Sequence, residues 1–194
     1  MSTRVRVADD AAFILHTTAW KETSLIVQTF SRTHGRVALA AKGAKRPYST
    51  LRPILQVFQP LLLSWSGAGE VKTLTRAELA GAYLLPGAAL MSAWYLNDLL
   101  LRLLPREDAH PVLFDAYDAA LATLAQGQRG AGALRRFEWT LLQEIGYGVD
   151  ANAPDFDDPA SAPALRLRLR ERLAPLLESR DLATRKVLRA LQRL

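Results

Sequence analysis

A length of 194 residues suits one large domain or two small ones, and a content of 49% hydrophobic and 23% charged residues supports a buried core and excludes a disordered chain. No cysteine is present, which excludes disulfides and thiolate zinc sites. The formal charge of +6 is unevenly placed: residues 1–80 hold 11 Lys or Arg against 5 Asp or Glu, while residues 81–194 hold 14 against 14, so the surplus that attracts polyanions lies in the first part.

The opening MSTRVRVADD has no apolar core and reads as an arm of low order, not a signal peptide, so the cytoplasm is the expected compartment. Ala11 to Thr18 is a first strand. Thr23 to Phe30 alternates with the period of two that a half-buried strand needs, Thr33-His34-Gly35 is a turn, and Val37 to Ala40 is the return strand. The run Lys42-Gly43-Ala44-Lys45-Arg46-Pro47 breaks the sheet, and from Ser31 to Arg52 there are six Lys or Arg and no acid. Leu51 to Leu55 forms a helical turn. Val57 to Trp65 is a fourth strand, at an edge or bulged at Pro60, which cannot donate to a ladder. Ser66 to Gly69 turns into a fifth strand, Val71 to Leu79. Five short strands with a helical turn between the third and fourth match an OB-type Greek-key barrel over residues 1–80, and strand counting alone also permits an SH3-like barrel.

The texture then changes, giving an α+β chain whose residues 81–194 are helical. Residues 88–104, 111–126 and 132–146 repeat apolar side chains at three and four. Asp108 is a candidate N-cap for the second of these, with Pro111 in its first turn. The interruptions at Asn97, Asp98 and Arg102 mark the apolar run of the first as a buried helix and not a membrane span. Residues 150–164 read as an acidic loop. The tail from Ala164 is expected as a helix, kinked or broken near Pro175, then a last helix from Leu182 to Leu194.

No residues point to catalysis. His16, His34 and His110 lie far apart in sequence, without a partner suited to activating a nucleophile. Gly67-Ala68-Gly69 lacks the lysine and helix of a phosphate loop. Asp155, Asp157 and Asp158 lack the spacing of a calcium loop and read as a solvated acidic segment. The remaining signal is basic. Arg36, Lys42, Lys45, Arg46 and Arg52 are candidates to meet phosphates, with Tyr48 and Trp20 as candidates to stack on bases; Trp65, which ends an apolar strand, reads as core. If all five cations engage a single strand, log K falls against log salt with a slope of about −3.5. Arg135 and Arg136 open the third long helix beside Phe137 and Leu141, an arrangement suited to an acidic, hydrophobic peptide. A cation in a first turn opposes the helix dipole, which favours a compensating carboxylate from a partner.

Several motifs resemble the bacterial RecO family. They include Phe13-Ile14-Leu15-His16, Trp20-x-Glu22-Thr23-Ser24-Leu25, Gly35-Arg36-Val37, Ala41-Lys42-Gly43-Ala44, Gly69-Glu70-Val71-Lys72-Thr73-Leu74, Ala133-Leu134-Arg135-Arg136-Phe137-Glu138 and Gly146-Tyr147-Gly148-Val149. The resemblance is continuous over residues 11–150. It implies a DNA repair and recombination mediator, not an enzyme, with no cofactor. It implies binding of single- and double-stranded DNA, annealing of complementary strands, and a place at the nucleoid. Implied partners are RecR and the acidic C-terminal tail of the single-stranded-DNA-binding protein, with RecA loading as the outcome. Arg135 falls on a family position implicated in the tail contact, and Arg185 is kept in the closing segment, which makes Arg135, Arg136 and Arg185 the candidate partner residues. Two departures stand out. The family's several dozen residues between about Pro154 and Ala164, often with a zinc-binding cysteine cluster, are here a short cysteine-free loop, so no zinc is expected. The closing segment has Ser179, Arg180 and Ala183-Thr184 where Gly, Lys and Lys-Ser are usual. A second reading, from another class, is a non-catalytic interaction scaffold with weak nucleic-acid binding; a third, a metal-dependent enzyme on the Asp155 cluster, has the least support.

Overall fold

The computed structural model describes residues 5–127, 130–148 and 152–178. Two compact units result. One comprises the described chain up to Tyr83 together with Pro105–Phe114; the other comprises Leu84–Leu104 and the described chain from Asp115 onward.

In the first unit, β1 (Val5–Trp20), β2 (Ser24–Ser31), β3 (Gly35–Ala41), β4 (Leu61–Gly67) and β5 (Val71–Leu79) close into a barrel in the order β1-β2-β3-β5-β4. All pairings are antiparallel except β3 with β5, where Ala38, Leu39 and Ala40 run parallel to Val71, Lys72 and Thr73. The helical turn α1 (Leu51–Ile54) lies between β3 and β4, as an OB-type barrel requires.

Two expectations need correction. The opening is not a low-order arm from Val5 on: Val5 pairs with Gly67 and extends β1 by six residues beyond Ala11. Shifts of register after Val7 and after Ile14 bend this long strand, so that it serves β4 along its first half and β2 along its second. The fourth strand starts at Leu61, not Val57. Phe58 adopts a left-handed φ of 66°, Pro60 has no N–H to give, and Val57 keeps only an isolated bridge to Ile14.

Ile14, Val27, Leu39, Leu61, Leu63 and Trp65 fill the barrel. Phe13 and Phe30, opposite each other in the ladder, point outward yet are fully buried, because Phe114 lies with its ring centroid 5.4 Å from each. That second layer explains the unbroken burial from Ala12 to Leu15. The segment Pro105–Phe114 is also held by Glu107, whose N–H donates to Arg36 O at 3.0 Å, and by the Lys72–Glu107 ion pair. Gly35 makes this approach possible: its φ is +66°, and a Cβ there would stand 1.7 Å from Asp108 O.

The second unit contains α2 (Gly87–Leu103), most of α3 (Pro111–Ala125), α4 (Ala131–Glu144) and α5 (Ala162–Glu178). Its core includes Leu96, Leu99, Tyr117, Leu121, Phe137 and Leu141. Tyr117 Oη donates to the buried Asn97 Oδ1 at 2.6 Å, giving a partner to an amide in this core. Leu165, Leu169 and Leu173 recur at four and bury one stripe of α5. Of the two outcomes expected at Pro175, the break is excluded: α5 runs on through Pro175 to Glu178. Because α3 opens on Pro111, its capping position falls on His110; Asp108 instead places its carboxylate 3.5 Å from His110 Nε2. The expected last helix from Leu182 lies outside the described residues. Among the described residues no helix is long and apolar enough to cross a membrane.

Candidate nucleic-acid interface

The basic loop is built as a chain of turns pinned at one point. Ala44 is fully buried among the barrel's core residues, and the next residue, Lys45, donates its N–H to Thr23 O at 2.9 Å. Arg46 N–H then donates to Gly43 O at 3.0 Å, and Ser49 N–H to Arg46 O at 3.1 Å, leading into α1. With the backbone satisfied inward, the side chains of Lys42, Lys45, Arg46 and Arg52 are left exposed, and Tyr48 is 98% exposed. A shallow, open depression runs across this loop, lined by Lys42, Arg46, Pro47, Tyr48, Ser49 and Thr50.

The electrostatic contrast within the unit is plain. Lys72 pairs with Glu107, Arg76 with Glu78 and Asp9, and Arg106 with Glu70. Lys42, Lys45, Arg46 and Arg52 make no ion pair among the described residues. Four uncompensated cations on about ten residues create a standing attraction for a polyanion, and releasing its counterions adds to the gain.

The structure joins Trp20 to this loop through the Thr23–Lys45 hydrogen bond. It also adds a residue that the sequence did not single out: Lys21 holds its ammonium 4.4 Å from the centre of the Trp20 ring. Trp20 is 37% exposed, so part of its ring is open to a base. Arg36 lies apart from this loop. It stands at the start of β3, and at about 3.3 Å per residue the strand carries Lys42 roughly 20 Å from it. Arg36 instead forms an isolated bridge with Arg106 and accepts from Glu107. Trp65 is in the core, as expected.

In the second unit, the two arginines of α4 are engaged by the chain itself. Arg135 donates through Nε and Nη2 to Phe156 O at 3.2 and 2.6 Å, and Arg136 Nη2 lies 3.3 Å from Asp157 Oδ2. Contrary to expectation, the two arginines do not stand in the first turn: α4 starts at Ala131, which makes them its fifth and sixth residues, and the carboxylate facing Arg136 is that of Asp157. Asp158 accepts from Ala160 N–H at 3.0 Å and Ser161 N–H at 3.1 Å, which holds its carboxyl below its ordinary range and caps the approach to α5. Arg185 lies outside the described residues.

One cluster escaped the sequence reading. Ser31 Oγ donates to Asp10, His34 N–H donates to Ser31 Oγ at 2.9 Å, and His34 Nδ1 lies 3.1 Å from Asp10 Oδ2. The three residue types are those of a hydrolase, but the geometry is not. The hydroxyl gives its proton to the carboxylate, not to the imidazole, and Ser31 is fully buried. The cluster clasps the β2–β3 turn to β1. Among the described residues no group of His, Asp and Glu could hold a metal ion.

The model of the recombination protein O N-terminal region matches residues 5–83, and that of its C-terminal region matches residues 87–153. The chain is 58% identical over 161 residues to the DNA repair protein RecO of Aromatoleum aromaticum, covering 79% of this chain and 67% of that protein. It is 54% identical over 151 residues to RecO of Azoarcus sp., covering 77% of this chain and 62% of the relative. With RecO of Cupriavidus metallidurans it shares 56% over 146 residues, 75% of this chain and 49% of the relative. The aligned chain thus spans between half and two thirds of these relatives' lengths. On both family regions and these identities, the chain belongs to the RecO family of DNA repair and recombination mediators.

Proposed function

We propose that the barrel binds DNA along the β3–α1 loop and the β1–β2 turn, and that the helical unit docks protein partners, so that the chain anneals complementary strands and assists RecA loading. The observation that carries this reading is the set of exposed, uncompensated cations Lys42, Lys45, Arg46 and Arg52 beside the open faces of Tyr48 and Trp20. Cations of this kind position a phosphate backbone without reading sequence, and aromatic faces stack on any base. Membership in a non-enzymatic mediator family supports binding over catalysis.

On this reading single- and double-stranded DNA share the basic loop, and the aromatic rings favour single strands, whose bases are free to stack. The face of α4 carrying Arg135 and Arg136 receives the acidic C-terminal tail of the single-stranded-DNA-binding protein, with Arg185 in support, and RecR is a second partner. The chain would act at the nucleoid. The test is a salt titration of binding to a labelled single strand, paired with an annealing assay without ATP or metal. Four loop cations predict a log–log slope of about −2.8. A slope near zero would remove the electrostatic basis of the proposal.

A further inference from the structure

The segment Pro154–Pro159 reproduces, within the chain, the ligand that the α4 face is suited to receive. Phe156 is 7% exposed, with its ring 6.1 Å from that of Trp139 and the Arg136 guanidinium 5.3 Å from its centre. Its carbonyl takes both Arg135 bonds, and Asp157 faces Arg136 at the rim. One aromatic anchor, one oxygen on the arginine fork and one flanking carboxylate are all in place. Gly132 shows that the backbone of α4 accommodates this segment. A Cβ at Gly132 would lie 2.0 Å from Asp157 Oδ1, the movable end of an exposed side chain, and 3.3 Å from Phe156 O, so the segment lies directly against the first turn.

We propose that residues 154–159 are a resident occupant of the α4 face, and that an acidic peptide with one aromatic anchor binds by exchanging with them. The inference rests on the docking role proposed above for Arg135 and Arg136. The chemistry favours exchange in one direction. Arg135 now holds a neutral carbonyl; an incoming carboxylate would take the same two bonds with charge assistance. The Arg136–Asp157 pair is solvent-exposed, with 56% and 71% of its side chains open, and screening leaves it weak. The aromatic anchor is the part an external ligand must match.

The absence of cysteine gives a direct test. Asp157 Cγ lies 3.1 Å from where a Cβ on residue 132 would stand, close enough for thiols at these two positions to bridge. The full chain carrying Gly132→Cys and Asp157→Cys is assayed against a fluorescein-labelled synthetic peptide of residues 153–160, oxidised and then reduced. Oxidation is expected to weaken capture at least about tenfold and reduction to restore it, since only the open state competes. Phe156→Ala in the otherwise native chain is expected to tighten capture about tenfold; if that variant fails to fold, the thiol lock carries the test. Equal capture by the locked and reduced forms, or failure of the thiols to couple, overturns the exchange. If Arg135→Ala weakens capture while locking has no effect, docking stands and exchange falls. If no form captures the peptide, the docking reading fails and takes the exchange with it.

Discussion

Lys45 donates its backbone N–H to the carbonyl of Thr23 across 2.9 Å, and this single bond makes one surface out of two parts of the chain. It seats the basic loop against the β1–β2 turn. It brings the loop that carries the cations beside the turn that follows the Trp20–Lys21 pair, on a backbone held by the buried Ala44.

Reversing two loop charges should reduce DNA affinity without unfolding the barrel. Lys42→Glu with Arg46→Glu changes side chains that touch solvent and no acid, so thermal unfolding should match the parent. The salt slope should fall from about −2.8 to about −1.4, with affinity at low salt lower by about tenfold or more. Arg36→Ala, at the far end of β3, should leave the slope unchanged. A matching drop for Arg36→Ala would mean the strand follows a different path across the barrel.

Removing the aromatic faces should affect single strands more than duplex. Trp20→Ala and Tyr48→Ala each remove a ring that a base can cover, with an expected cost of about 1–3 kcal/mol if it stacks. Tyr48, 98% exposed, contributes little to folding, so its effect on binding reads directly. The check is the ratio of single- to double-strand affinity for each variant. An unchanged ratio in both would leave phosphate contacts as the sole attraction.

The barrel was legible because its signals are local. The alternation along Ser24–Ser31, the turn at Thr33 to Gly35 and the loop cations each show within a dozen residues. What was not legible depended on contacts between distant segments. The pairing of Val5 with Gly67 extends a strand that its own polar sequence, Arg6 to Asp10, does not announce. Asp10 reaches His34 across 24 positions, and Arg36 was grouped with Lys42 by proximity along the chain although an extended strand separates them. On α4, the acid that faces Arg136 comes from 21 residues away, where periodicity gives no guide.

The Lys72–Glu107 pair should be worth more than an exposed ion pair, because the Lys72 side chain is only 6% exposed while Glu107 is 49% exposed. Glu107→Ala leaves a buried ammonium with Gly69 O at 3.3 Å as its remaining hydrogen-bond acceptor among the described residues, at a cost of about 1–3 kcal/mol in urea unfolding. Adding Lys72→Met should recover much of that loss, since the group that needed the partner is gone. A double variant as unstable as the single one would show that Glu107 acts through its backbone.

Asp158 should make the entry to α5 sensitive to acid. Its hydrogen bonds from Ala160 and Ser161 hold the carboxyl below the ordinary 3.8, so the folded state binds its proton less readily than the unfolded state. The stabilisation is fully present above that ordinary value and is lost as pH falls through the lower folded one. Asp158→Asn keeps an acceptor but does not titrate, and should flatten this part of the acid limb in circular dichroism. An unaltered acid limb in the variant would assign the loss to other carboxylates.

Glu138 should act in the opposite sense. Tyr95 Oη donates to Glu138 Oε1 at 2.6 Å inside the helical unit. Burial raises the Glu138 carboxyl above its ordinary 4.5, and the Tyr95 hydrogen bond with the charges of Arg166 and Arg135 only partly offsets this. Between 4.5 and the raised value the folded chain holds more protons than the unfolded chain, so stability falls as pH rises through that window and is level above it. Glu138→Gln retains an acceptor for Tyr95 and removes the charge, so its urea midpoint should lose this decline and equal or exceed the parent at neutral pH. Arg135→Ala removes one of the opposing charges and should widen the window. A Gln variant that keeps the parent's slope would place the titrating group elsewhere in the unit.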